Sequence, residues 1–114
     1  MRRFTVAFVA GLFVLAATPA IAQEGVSSLR GRVLDQQGAV LPGVVIVVTH
    51  TESGIFRQLV SNADGSYFVT GLTPGRYRVA AELEGFKKYE RPSVLMEVGK
   101  TTQIDLTLEV GALE

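Results

Sequence analysis

From Leu29 onward the apolar side chains recur at every second position, and Gly, Pro, Asn and Asp interrupt the runs at intervals of about ten residues. Successive side chains of an extended strand point to opposite faces, so this spacing gives each run one apolar and one polar side. A helix would space its apolar residues three or four apart. Short half-apolar strands must bury their faces against one another, and the pattern predicts an all-β fold, a seven-stranded antiparallel β-sandwich.

The first strand is expected over 28–34, and a polar turn from Asp35 to Gly43 leads to the second, over 44–49, where Val44, Ile46 and Val48 face the core. Val45 and Val47 are apolar as well, which suits a central strand covered on both faces. The third run, 55–61, alternates two mixed sets, Phe56, Gln58 and Val60 against Ile55, Arg57 and Leu59, and its inward face stays open. Asn62-Ala63-Asp64-Gly65 reads as a turn whose side-chain oxygens bond nearby backbone and whose glycine takes positive φ. A fourth strand follows over 67–70. Thr73-Pro74-Gly75 then turns the chain into a fifth, with Tyr77, Val79, Ala81 and Leu83 inward. Val94, Met96 and Val98 mark the sixth, and Ile104, Leu106 and Leu108 mark the seventh. Tyr67, Phe68 and Tyr77 are assigned to the core or its margin.

Composition narrows the chemistry. The 114 residues hold 11 Lys plus Arg against 11 Asp plus Glu, one His and no Cys. Without cysteine there is no disulfide framework and no thiolate metal site, and a single histidine supplies no pair of imidazole ligands, so no cofactor or metal is expected. The balanced charge offers no basic face for nucleic acid. A domain of about 80 residues buries about 60–65% of its unfolded surface, enough to fold but not to enclose a cavity, which puts any site on the surface.

The first 22 residues have the parts of a secretory signal. Met1-Arg2-Arg3 is a cationic start, 4–17 is apolar apart from Thr5 and Gly11, and Thr18-Pro19 precedes Ala20-Ile21-Ala22, which places small side chains where a signal peptidase tests them. Cleavage before Gln23 is expected, with a flexible lead-in over 23–28, the sandwich over 29–110 and a tail over 111–114. The apolar run is shorter than the roughly 20 residues that cross a hydrocarbon core, so no transmembrane helix is expected in the mature chain. Losing Arg2 and Arg3 takes the basic count from 11 to 9 against 11 acidic residues, a net charge of about −2.

The residues Gly31-Arg32-Val33, Asp35, Gly38, Leu41-Pro42-Gly43-Val44, Asn62-Ala63-Asp64-Gly65-Ser66-Tyr67, Leu72, Pro74-Gly75, Tyr77, Val79 and Gly85-Phe86 stand in an order and spacing that resembles the carboxypeptidase regulatory-like domain, over about 29–108. The resemblance implies a transthyretin-like Greek-key sandwich, grouped with the starch-binding-like folds. It extends to the accessory domain only. The catalytic part of a zinc carboxypeptidase would need a His and Glu pair with a further His, and this chain has His50 alone. A signal peptide followed at once by one such domain also resembles the N-terminus of TonB-dependent outer-membrane receptors. A membrane barrel needs at least about eight strands of about ten residues, so none is expected within these residues.

The turn at Asn62–Gly65 fails as a calcium loop, because with Gly65 in sixth place the first and twelfth places fall on Val60 and Gly71, where carboxylates belong. His50 has no nucleophile motif beside it and reads as an exposed or hydrogen-bonded loop histidine. The candidate ligand or partner surface is Phe86, Lys87, Lys88, Tyr89 and Arg91, an aromatic and basic mixture able to stack on a sugar or meet an acidic protein face. Arg30, Arg32, Arg57, Arg76 and Arg78 are expected to pair across strands with Glu82, Asp105 or Glu109. The unpaired edges of the sandwich are further places for a partner strand. The resulting expectation is an exported, non-catalytic accessory or interaction domain, periplasmic or outer-membrane associated, with secretion as the alternative location. Its partner would be a protein at the outer membrane or, as the alternative function, a carbohydrate.

Overall fold

The computed structural model describes residues 25–111 and Gly11; the rest of the expected signal peptide and lead-in, and the tail past Gly111, lie outside the described residues. Eight strands follow one another with no helix among the described residues: β1 (Ser27–Asp35), β2 (Val45–His50), β3 (Phe56–Val60), β4 (Ser66–Leu72), β5 (Gly75–Glu82), β6 (Tyr89–Met96), β7 (Thr101–Gln103) and β8 (Leu106–Leu108). One sheet runs β4-β1-β7, with β8 also paired to β1; the other runs β3-β2-β5-β6. The fold is the expected all-β sandwich. Its core is the set of positions that the period of two puts on facing sides: Leu29 and Val33 from β1, Tyr67, Val69 and Leu72 from β4, Ile104, Leu106 and Leu108 from the last strands, and Ile46, Val48, Tyr77, Val79, Ala81, Val94 and Met96 opposite.

β2 lies between β3 and β5, as its continuous apolar run requires. Its outward Val45 and Val47 are half-buried, so the outer side of this sheet is only partly covered. The register that sequence left open at β3 is set by β2: Leu59 lies opposite Ile46 and Arg57 opposite Val48, which puts both on the core side, while Phe56, Gln58 and Val60 take the outer side. Since β3 is an edge, Phe56 stays exposed. Two core expectations are corrected. Val98 lies beyond the end of β6 and is exposed, because the chain already turns back at Glu97, whose carbonyl accepts the Lys100 N–H at 3.3 Å. Phe68 points out of the first sheet, since its neighbours Tyr67 and Val69 take the inward side and adjacent strand residues alternate.

The expected seventh strand is divided into β7 and β8, and both run parallel to β1 rather than antiparallel. The division has a local cause. The Ile104 N–H still donates to the Arg30 carbonyl at 2.9 Å, but the Ile104 carbonyl is taken by the Tyr67 hydroxyl from across the core. The Arg32 N–H therefore donates to the Asp105 carboxylate, at 3.1 Å, instead of to a backbone carbonyl. Gly31 sits between these two bonds, and a Cβ there would come within 1.8 Å of the Ile104 oxygen. Only glycine allows the two chains to approach so closely.

The turn before β4 is built as its sequence suggests. The Asp64 carboxylate accepts the Ser66 hydroxyl at 2.6 Å and the Ser66 N–H at 3.1 Å, and Gly65 has φ of 76°. The Ser66 hydroxyl is the main reason that the Asp64 carboxyl is held below its usual range.

Candidate functional site

The segment singled out as a ligand surface is brought together, but as a structural join. Phe86 and Tyr89 are half-buried and pack against the core. The backbone around Phe86 pairs with the end of the chain: Phe86 bridges Val110, the Lys87 N–H donates to the Glu109 carbonyl at 2.7 Å, and the Gly111 N–H donates to the Gly85 carbonyl at 3.0 Å. The basic residues are exposed, and two face acidic neighbours, Lys87 with Glu109 and Lys88 with Glu82, each at 3.6 Å. Arg91 lies on β6 opposite Val79. Exposed pairs of this kind contribute about 0–1 kcal/mol each. With its rings turned inward and its lysines engaged, this segment presents no open aromatic platform.

The expected arginine pairings are corrected in the same way. Arg78 pairs with Glu90 at 3.7 Å, and Glu82 and Glu109 are held by lysines instead. Asp105 serves the backbone of Arg32. Arg76 donates to the Ser93 hydroxyl at 3.0 Å and Arg57 to the Gly71 carbonyl at 3.3 Å.

Two other surfaces have the features that segment lacks. On the outer side of the first sheet, Phe68, Arg30 and Gln103 form a row across β4, β1 and β7, since Arg30 lies opposite Phe68 on one side and Gln103 on the other. Phe68 is 58% exposed. With Arg32, Ser66 and Asp105 these residues line an open groove of about 560 Å³. From sequence, Phe68 is assigned with Tyr67 and Tyr77 to the core or its margin; the alternation of Phe68 with Tyr67 is the signal that separates them.

The second surface is a pocket of about 160 Å³ at the side of the sandwich, between edge strand β3 and edge strand β4. Val48, Ile55, Leu72 and Tyr77 form its apolar walls, and His50, Ser53 and Arg57 bring the polar groups. His50 is 8% exposed and ends β2, so it is a buried strand residue rather than a loop one. Its Nδ1 accepts the Ser53 N–H at 3.2 Å and lies 2.8 Å from the Ser53 hydroxyl, and its ring stands edge to face on Tyr77 with centroids 5.1 Å apart. The Tyr77 hydroxyl donates to the Thr73 carbonyl at 2.5 Å, and burial pushes its pKa up. Among the described residues no group of three His, Cys, Asp or Glu is placed to hold a metal ion, and no helix is long and apolar enough to cross a membrane.

The profile of the carboxypeptidase regulatory-like domain matches residues 28–109. The chain belongs to the carboxypeptidase regulatory-like domain family. It is 32% identical over 115 residues to the TonB-dependent transporter Oar of Myxococcus xanthus, covering 99% of this chain and 10% of that protein. This carboxypeptidase regulatory-like domain thus spans about a tenth of that transporter's length. Among solved structures it is similar to the Bacillus anthracis TIE protein, with a TM-score of 0.65 and 21% identity over 75% of this chain and 17% of that one. It is also similar to a minor pilin of Streptococcus agalactiae, with a TM-score of 0.64 and 16% identity over 79% and 47% of the two chains. At these identities the two structures share the fold.

Proposed function

We propose that the chain is an exported, non-catalytic accessory domain of a TonB-dependent outer-membrane transport system, standing at the N-terminus of the receptor and working in the periplasm. The observation that carries this reading is the 32% identity with a TonB-dependent transporter across 99% of the chain. The cationic start, apolar run and Ala20-Ile21-Ala22 agree with export. The engagement of His50 Nδ1 by the Ser53 backbone N–H supports a role in contact rather than catalysis. Expression of residues 1–114 in a Gram-negative host tests export: a periplasmic chain beginning at Gln23 by mass is expected, and a full-length chain held in the cytoplasm would overturn it. The coding sequence past Glu114 tests the receptor context, where an in-frame plug and barrel is expected and a stop codon would leave a free-standing exported domain.

A second reading, carbohydrate binding, is favoured by one feature, the exposed Phe68 beside Arg30 and Gln103 in the open groove on the outer side of the first sheet. A sugar ring stacks on such a platform while guanidinium and amide groups take its hydroxyls. In titration calorimetry with glucan and xylan fragments this reading expects binding that Phe68→Ala abolishes and Phe86→Ala leaves in place. Absence of heat with every fragment would remove it.

A further inference from the structure

Beside the pocket between β3 and β4 lies a hydrogen-bond donor with no partner among the described residues. His50 is more than nine-tenths buried, and its Nδ1 is occupied by the Ser53 N–H. A neutral imidazole whose Nδ1 accepts carries its proton on Nε2, so Nε2 is a donor. Among the described residues no side chain or carbonyl receives that proton, and no fully buried side-chain nitrogen or oxygen lacks a partner. Nε2 faces Gly75, where a Cβ would lie 2.7 Å away, and His50 itself lines the pocket beside it.

The other polar groups of the pocket have the same sense. Arg57 stands at its mouth, on the core side of an edge strand, and one of its five N–H groups goes to the Gly71 carbonyl. Three carbonyls of lining residues are already taken, Gly71 by Arg57, Thr73 by the Tyr77 hydroxyl and Ile55 by the His50 N–H. No acidic side chain lines the pocket. Beside the Ser53 hydroxyl, which accepts the Ile55 N–H, what remains are the donors of His50 Nε2 and of the permanently cationic Arg57, next to apolar walls from Val48, Leu72 and Tyr77. The pocket's volume of about 160 Å³ and its apolar walls suit a short branched group.

We propose that this pocket binds a carboxylate carried on a short apolar stem, the stem lying against Val48, Leu72 and Tyr77 and the carboxylate taken by His50 Nε2 and the Arg57 guanidinium. A guanidinium and a second N–H converging on one group are the recurring means of holding a carboxylate. The position also fixes how the ligand is presented. The mouth adjoins the unpaired side of β3, so a free acid and the C-terminal carboxylate of a chain laid along that edge both satisfy the chemistry.

The test is a titration of the full chain with 4-methylpentanoate, followed by amide NMR. Saturable shifts are expected at Ser53, Arg57, Gly71 and Thr73, with the neutral 4-methylpentanamide binding at least tenfold more weakly. Arg57→Gln, at an exposed position that leaves the core intact, is expected to weaken the acid at least tenfold, and His50→Phe to do the same if the variant folds. Leu95→Ala, at an exposed position on the far edge strand β6, is expected to leave it unchanged. A peptide ending in leucine distinguishes the sources: binding at least tenfold tighter than the free acid, with added shifts along Phe56 to Val60, assigns the site to a chain terminus, and equal or weaker binding assigns it to a free acid. Equal affinity for acid and amide, undiminished binding by Arg57→Gln, or no saturable shift with the acid or the peptide overturns the proposal.

Discussion

Gly31→Ala is expected to cost the domain about 3 kcal/mol or more, read as a large fall in the urea midpoint with an unchanged slope. The added Cβ would lie 1.8 Å from the Ile104 carbonyl oxygen and 2.6 Å from its carbon, distances at which something must move. Neither atom can yield cheaply. The Ile104 N–H is bonded to the Arg30 carbonyl and its own carbonyl to the Tyr67 hydroxyl, so displacing the peptide breaks a ladder bond and strands a buried hydroxyl. Against a total stability of about 5–15 kcal/mol for a domain of this kind, the variant would be marginal. A stability within about 0.5 kcal/mol of the parent's would show that the last strand does not approach β1 as described.

Tyr67→Phe is expected to cost about 2 kcal/mol and to flatten the alkaline end of the stability curve. The ring stays and the core volume is kept, but the Ile104 carbonyl loses its donor inside the sandwich. Burial, above all, pushes the Tyr67 hydroxyl well above the ordinary tyrosine value of 10.0, with the Asp105 charge adding to the shift. The folded chain therefore keeps this proton where the unfolded chain gives it up. Stability from this group is fully present below pH 10 and declines as the pH rises above it. Denaturant titrations at a series of pH values up to the onset of alkaline unfolding would show a shallower decline in the variant, the remainder including Tyr77, which burial also shifts upward. An identical decline in both proteins would mean that Tyr67 is not buried with its proton held.

The core was legible because it is written in neighbouring residues. Val44, Ile46 and Val48, or Tyr77, Val79 and Ala81, declare their inward side by alternation alone, and all six are buried. Phe68 was misplaced where hydrophobicity and alternation disagreed, and alternation decides because strand geometry leaves no third side. The break at Ile104 and Asp105 could not be read from the last strand, whose own pattern runs unbroken through Ile104, Leu106 and Leu108. Its cause lies in Gly31 and Tyr67, brought to it by folding. The same holds for the pocket. His50, Arg57, Leu72 and Tyr77 come from four strands, and no local motif announces them. By contrast Phe86 to Arg91 stood out because aromatic and basic residues are adjacent in sequence, yet adjacency said nothing of the inward turn of the rings or of the acidic neighbours that meet the lysines.

The parallel pairing of the last strands with the first determines how the domain bears tension. β1 leads away from its N-terminal end, and β7 and β8 run beside it in the same direction, so the chain comes in at one end of the sandwich and goes out at the other. A pull between the two ends slides β8 along β1 and loads their rungs together, in shear, whereas an antiparallel terminal pair would peel open one rung at a time. The Asp105 carboxylate on the Arg32 N–H and the Tyr67 hydroxyl on Ile104 lie within that sheared seam and tie it across the break between β7 and β8. A tethered domain of this build transmits force along its length while keeping both sheets closed.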